Sequence, residues 1–145
     1  MRTDTTEQTR AVVRDYVAAL QRGDLDALRE SFAPDATWSL RGGLPVSGTW
    51  TGPDAIIDGF LPAMMARLDP EQPLSQELTT LVADGDRAVA EWTSRATTRT
   101  GESYENDYAV VFEVTGLKIV AVREYFDTAY AGRVLFGADA RLSSG

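Results

Sequence analysis

Neither a histidine nor a cysteine occurs in the 145 residues. Proton transfer near neutral pH therefore falls to Asp, Glu, Tyr, Lys or Arg, and thiolate catalysis, disulfides and zinc–thiolate or iron–sulfur sites are excluded. The carboxylate that matters is one aimed into an apolar pocket, where desolvation raises its pKa and lets it act as base or acid. If Thr100-Gly101 is a two-residue turn, Arg99 faces Glu102, Thr93 faces Tyr108, Arg95 faces Asn106 and Glu91 faces Val110. One sheet face then carries Glu91, Thr93, Arg95, Asn106, Tyr108, Val110 and Phe112, a mixture of aromatic and polar groups suited to a pocket. Glu91 is there either a base or half of an ion pair. Tyr108 is placed to hydrogen-bond a ligand, while Arg95 and Asn106 bind a ligand oxygen or form a wetted mouth. The other face, with Ala88, Ala90, Trp92, Ser94, Ala96, Asp107, Ala109 and Val111, is small and apolar and suits a sheet-to-sheet dimer contact.

Asp127, in "VREYFDT", depends on the next turn. A two-residue turn at Thr115-Gly116 puts Arg123, Tyr125 and Asp127 on the pocket face; a three-residue loop that includes Leu117 brings in Val122, Glu124 and Phe126 instead. Asp127 or Thr128 is also suited to cap a last helix, "AYAGRVLF", and both roles can coexist at a strand end.

Helices must position these groups. "DTTEQTRAVVRDYVAALQRGD" reads as the first, with Asp4 and Glu7 as a capping box, Val13, Tyr16, Val17 and Leu20 on one face, and Gly23 as the stop. Asp24 caps a shorter helix, "LDALRESF". "DATWSL" alternates as a strand and leads into a Gly/Pro-rich connection through Trp50. "TGPDAIIDGFLPAMMARL" reads as a helix that Pro62 kinks or splits. Trp38, Leu40, Phe60, Met64 and Met65 line the pocket or simply fill the core. Strands follow at about 75–83, 87–99, 103–114 and 118–126. Helices first and a meander afterwards make an α+β pattern, expected as one domain over 1–145 with a loose tail at 137–145.

The net charge of −8, with no basic stripe, opposes binding to nucleic acid. No apolar run approaches the roughly 18 residues of a membrane span, and the polar "MRTDTTEQTR" is unlike a signal sequence. A cytoplasmic location and a small-molecule or protein partner are therefore expected. No acidic cluster is spaced for a metal.

"YVAALQRGDLDALRESFAPDATW" and "YENDYAVVFEVTGLKIVAVREYFDTAY" together resemble the SnoaL-like branch of the nuclear transport factor 2-like superfamily, over about residues 7 to 131. Ketosteroid isomerases, polyketide cyclases and limonene epoxide hydrolases share that superfamily. The resemblance implies a cone-shaped, cystatin-like α+β barrel: a curved antiparallel sheet wrapped around N-terminal helices, with one deep pocket and dimerisation through the outer sheet face. Tyr16 falls where the isomerases place an oxyanion donor, Leu40 where they place the base, and Tyr108 near their second donor. The Asp–Arg–Asp triad of the epoxide hydrolases falls on Glu91, Thr93 and Asp127, and their water-holding residues on Trp38 and Leu40. The expectation is an enzyme without metal or organic cofactor, acting on an apolar, oxygen-bearing small molecule. Glu91 or Asp127 would move the proton, and Tyr16 and Tyr108 would donate to an oxyanion. The alternatives are a binding protein that has lost the base and a scaffold that uses only its outer face.

Overall fold

The computed structural model describes residues 2–137, so the tail expected to be loose lies, from residue 138 onward, outside the described residues. Helix α1 (Arg2–Arg22) ends where Gly23 adopts a positive φ of 68°, a conformation that costs glycine little. It starts earlier than the expected capping box: Asp4 sits inside the first turn, facing the positive end of the helix dipole, rather than at the cap. Asp24 does cap α2 (Leu25–Glu30), its carboxylate accepting from the Ala27 N–H at 3.0 Å.

Strand β1 (Phe32–Leu40) follows, and the connection after it contains a strand that the sequence pattern concealed, β2 (Gly48–Thr51). Four residues are too few for a legible alternation. Trp50 ties this edge down, donating its indole N–H to the Val46 carbonyl at 2.9 Å. Its ring lies over Gly59, where an added Cβ would come within 3.0 Å. The next helix is split, as Pro62 requires, into a π-helical segment (Ala55–Phe60) and α3 (Leu61–Met65), with the proline in the first turn of α3, where its missing N–H does no harm. Then come β3 (Ser75–Asp84), β4 (Arg87–Thr97), β5 (Ser103–Thr115), β6 (Lys118–Phe126) and α4 (Thr128–Leu135).

The fold is α+β, with the helices against one face of a curved six-stranded sheet of order β2-β1-β6-β5-β4-β3. The sheet does not close into a barrel, since β2 and β3 are both edges. β1 runs parallel to β6 and all other neighbours are antiparallel. Phe112, Ile119, Val110, Val122 and Leu40 from the sheet meet Val13, Val17 and Leu28 from the helices in the core. Among the described residues no helix is long and apolar enough to cross a membrane.

Two turns decide what the inner face carries. Between β4 and β5, Thr97 pairs with Ser103 and the Thr98 N–H reaches the Glu102 carbonyl, so the loop is Arg99-Thr100-Gly101. Gly101, at φ 88°, ends a three-residue loop, the geometry of a turn followed by a bulge glycine. The two-residue turn read from the sequence is one residue short, and the slip turns β4 over. Trp92 pairs with Tyr108 and Ser94 with Asn106, both pairs inward, while Glu91, Thr93 and Arg95 lie on the outer face. The small apolar face expected to form a dimer contact is therefore divided: Ala88, Ala90, Trp92, Ser94 and Ala96 turn inward, and Asp107, Ala109 and Val111 turn outward.

Between β5 and β6 the turn residues are Gly116 and Leu117, both with positive φ (57° and 67°), and Thr115 pairs with Lys118. A register shift between Glu113 and Val114 then brings Phe112 opposite Val122, Val110 opposite Glu124 and Tyr108 opposite Phe126. Of the two sets left open by the sequence, the inner one is Val122, Glu124 and Phe126.

Candidate functional site

Between the helices and the inner sheet face lies a cavity of about 100 Å³. Its walls are Tyr16 and Leu20 of α1, Trp38 of β1, and Ile56, Ile57, Phe60, Leu61, Met64 and Met65 of the split helix. Gln76, Trp92, Ser94, Ala96, Tyr104, Tyr108 and Glu124 complete it from the sheet, with Leu68, Leu74 and Leu135 from the connections and α4. Met65 and Leu74 line the cavity and are also exposed at the surface (38% and 37%), which places the opening between the end of α3 and the start of β3.

Among the described residues Glu124 is the one buried carboxylate, 6% exposed. Its Oε1 accepts the Trp38 indole N–H at 3.0 Å. Burial pushes its pKa up from 4.5 to about 7, and the Trp38 N–H, which favours the charged form, pulls the other way. The group is therefore poised to take or give a proton near neutral pH.

Three tyrosines line the cavity. Tyr16 is packed edge-on to Phe32 and Phe112, with ring centroids 5.7 and 5.5 Å away. Burial first, and then the Glu124 charge, raise its pKa far above the ordinary value. The Tyr104 and Tyr108 hydroxyls lie 2.6 Å apart, and Asn106 Nδ2 donates to the Tyr104 oxygen at 3.0 Å. Burial is the largest cause of the raised pKa at both Tyr104 and Tyr108. All three stay protonated near neutral pH and available as donors.

The cavity thus brings together Tyr16, Trp38, Phe60, Met64 and Tyr108 from the residues singled out in the sequence. Leu40 is buried on the same face of β1 without lining the cavity. Asn106 faces inward beside it, its amide held between the Tyr104 hydroxyl and the Asp127 carbonyl. Four residues are elsewhere. Glu91 is exposed on the outer face, Thr93 donates there to Asp107 at 2.7 Å, and Arg95 pairs with Glu77 and Glu105 at 2.8 and 3.4 Å. Asp127 is exposed as the N-cap of α4, accepting from the Tyr130 N–H at 3.0 Å. The pocket positions expected for Glu91, Thr93, Arg95 and Asp127 are thereby corrected, the first three by the slip of β4 and the last by the β5–β6 register.

Tyr104 and Gln76 were missed as cavity residues, and Glu124 was reached only as one of two alternative sets. For Glu124 a signal existed: of the two candidate sets on β6, the one containing Val122 and Phe126 is the more apolar and therefore the natural inner set.

A family profile described as "SnoaL-like domain" matches residues 13–132. Among solved structures, an NTF2-like protein from Burkholderia thailandensis is 28% identical, with 87% of this chain and 95% of that chain covered and a TM-score of 0.77. An NTF2-like protein from Burkholderia xenovorans is 26% identical over 90% of this chain and 97% of that one, with a TM-score of 0.72. TerC, co-crystallised with polyporic acid, is 19% identical with a TM-score of 0.78, covering 89% of this chain and 98% of that one, a likeness of fold. The profile match spans most of the chain and the structural matches share its architecture: this protein belongs to the SnoaL-like family.

Proposed function

We propose that the protein is a cofactor-independent enzyme that moves a proton at a carbon next to a carbonyl in an apolar small molecule. The observation that carries this reading is a buried carboxyl, held by the Trp38 indole N–H, in an apolar cavity lined by three tyrosines; burial pushes its pKa up to about 7. In its ionised form Glu124 accepts the α-proton, and the carbonyl oxygen becomes an enolate oxyanion. Tyr108, or Tyr16, donates a hydrogen bond to that oxygen as its charge grows. Asn106 donates to Tyr104, and Tyr104 can in turn donate to the Tyr108 oxygen, leaving the Tyr108 proton for the ligand. Glu124 then returns its proton to a second carbon, giving an isomer, or the enolate carbon attacks a second carbonyl, whose oxygen takes the bond's electron pair and then the proton from Glu124, giving a hydroxyl-bearing ring and restoring the carboxylate. The proton carrier moves from Glu91 or Asp127, the residues favoured by the sequence alone, to Glu124.

The rival reading is a binding protein without turnover. It is favoured by one observation: Leu40, where the isomerase base would fall, offers no carboxylate and stands outside the cavity. A test that needs no knowledge of the natural substrate separates the two. In D₂O at pH 8, with 2-tetralone as probe, the wild-type protein should accelerate deuterium uptake at the α-carbon, followed by NMR. Glu124→Gln should lower that rate by 10²-fold or more, in keeping with removal of a general base. Equal rates in the two proteins would contradict the enzymatic reading and leave the binding one.

A further inference from the structure

The register aligns three inward polar residues across three strands: Gln76 of β3 pairs with Ser94 of β4, and Ser94 with Asn106 of β5. Asn106 is fully engaged, donating through Nδ2 to the Tyr104 hydroxyl and the Asp127 carbonyl and accepting the Asp107 N–H at its Oδ1. Gln76 is not. Its side-chain carbonyl Oε1 is buried without a hydrogen-bond partner, the one such side-chain atom among the described residues. Gln76 and Ser94 both line the cavity, and the next inward residues of β3 are the apolar Leu78 and Leu81. Leaving an amide carbonyl dry and unpaired is unfavourable, and an apolar residue would avoid the cost. The backbone of Gln76 gives no reason for an amide, since the Gln21 side chain binds its main-chain carbonyl, which any residue supplies.

We infer that Gln76, with Ser94 beside it, forms a second polar subsite that accepts a hydrogen-bond donor of the ligand, a hydroxyl or an amine, remote from the group that meets Glu124. The inference rests on the proposed reading of Glu124 as the reacting end of the cavity. Glu124 on β6 and Gln76 on β3 are three strands apart, and Glu124 pairs with Val110, four residues along β5 from Asn106, so the two lie on the order of 20 Å apart along the sheet and less across its concave side, onto which both side chains project. The ligand is accordingly two-ended: an enolisable carbonyl near Glu124, an apolar body against Trp92 and the split helix, and a donor group at Gln76.

Two rigid phenols test this by calorimetric titration: 2-naphthol, and 2,6-dihydroxynaphthalene, which adds a hydroxyl at the opposite end. The wild-type protein should bind the diol about tenfold more tightly than the mono-ol. Gln76→Met, which keeps the length of the side chain but removes the acceptor, should close that gap while leaving 2-naphthol binding within about twofold. Ser94→Ala, a smaller change, should narrow the gap and covers the case of a misfolded Gln76 variant. Glu124→Gln should weaken both phenols alike and preserve the gap. No gap in the wild-type protein, a gap that survives Gln76→Met, or no binding of either phenol would overturn the subsite. If Gln76→Met closes the gap and Glu124→Gln changes neither affinity, the subsite stands and the reading of Glu124 fails.

Discussion

Trp38 and Glu124 come from distant parts of the chain and meet in a single hydrogen bond of 3.0 Å, which opposes the effect of burial on the carboxyl. Burial alone would hold Glu124 protonated to higher pH, and the indole N–H brings it back towards neutrality by stabilising the carboxylate. Trp38→Phe keeps a ring of similar bulk against Phe60, whose centroid is 5.6 Å away, but removes the donor. A hydrogen bond to a charged group is worth about 1.5–3 kcal/mol, so the ionised form should lose stabilisation on that scale. The pH dependence of the exchange reaction should then move to higher pH, with the high-pH plateau rate little changed. An unmoved profile in Trp38→Phe would mean that the tryptophan packs and does not tune. Little of this pair was legible in the sequence. Trp38 was identified as a wall residue, but its partner lies on a strand whose register two adjacent turn residues decide.

At the scale of elements, the sequence was most informative where local signals agreed. Gly23 stops α1, Asp24 starts α2, Pro62 splits the third helix, and the four long strands fall close to the positions their alternation predicts. Register was harder to read, because side chains alternate with a period of two and a single extra loop residue reverses a strand. Gly101 can end a three-residue loop as readily as a two-residue one, and that ambiguity exchanged Glu91 for Trp92 on the inner face. The β5–β6 hairpin adds a non-glycine residue with positive φ, Leu117, half exposed at the tip, a position for which a leucine gives no turn signal. The α4 cap belongs to this scale as well. Asp127→Ala removes the acceptor for the Tyr130 N–H and should cost about 1 kcal/mol, read by urea denaturation, with the exchange rate within about twofold of wild type. A large loss of rate without a loss of stability would return Asp127 to the reaction.

The molecule as a whole was identified from its order of elements, since a long helix and a short one, a strand, a broken helix and a long meander leave few ways to cover one sheet face. Its chemistry was not, because that depends on which residues the curved sheet turns inward. Glu124 also has a thermodynamic consequence for the entire fold. Its pKa is higher folded (about 7) than unfolded (4.5), so the folded state binds more protons between those values and its stability falls as pH rises through that window. Above pH 7 the folded protein carries a penalty of about 3 kcal/mol from this one group, and a glutamine of similar shape would avoid it. A buried acid kept at such a cost, facing a cavity, is the pattern expected of a functional group. The most direct measurement is a ¹³C NMR titration of the protein labelled at the glutamate side-chain carboxyls. One resonance, missing from Glu124→Gln, should titrate with a midpoint of about 7. Titration of every glutamate near 4.5 would contradict the account.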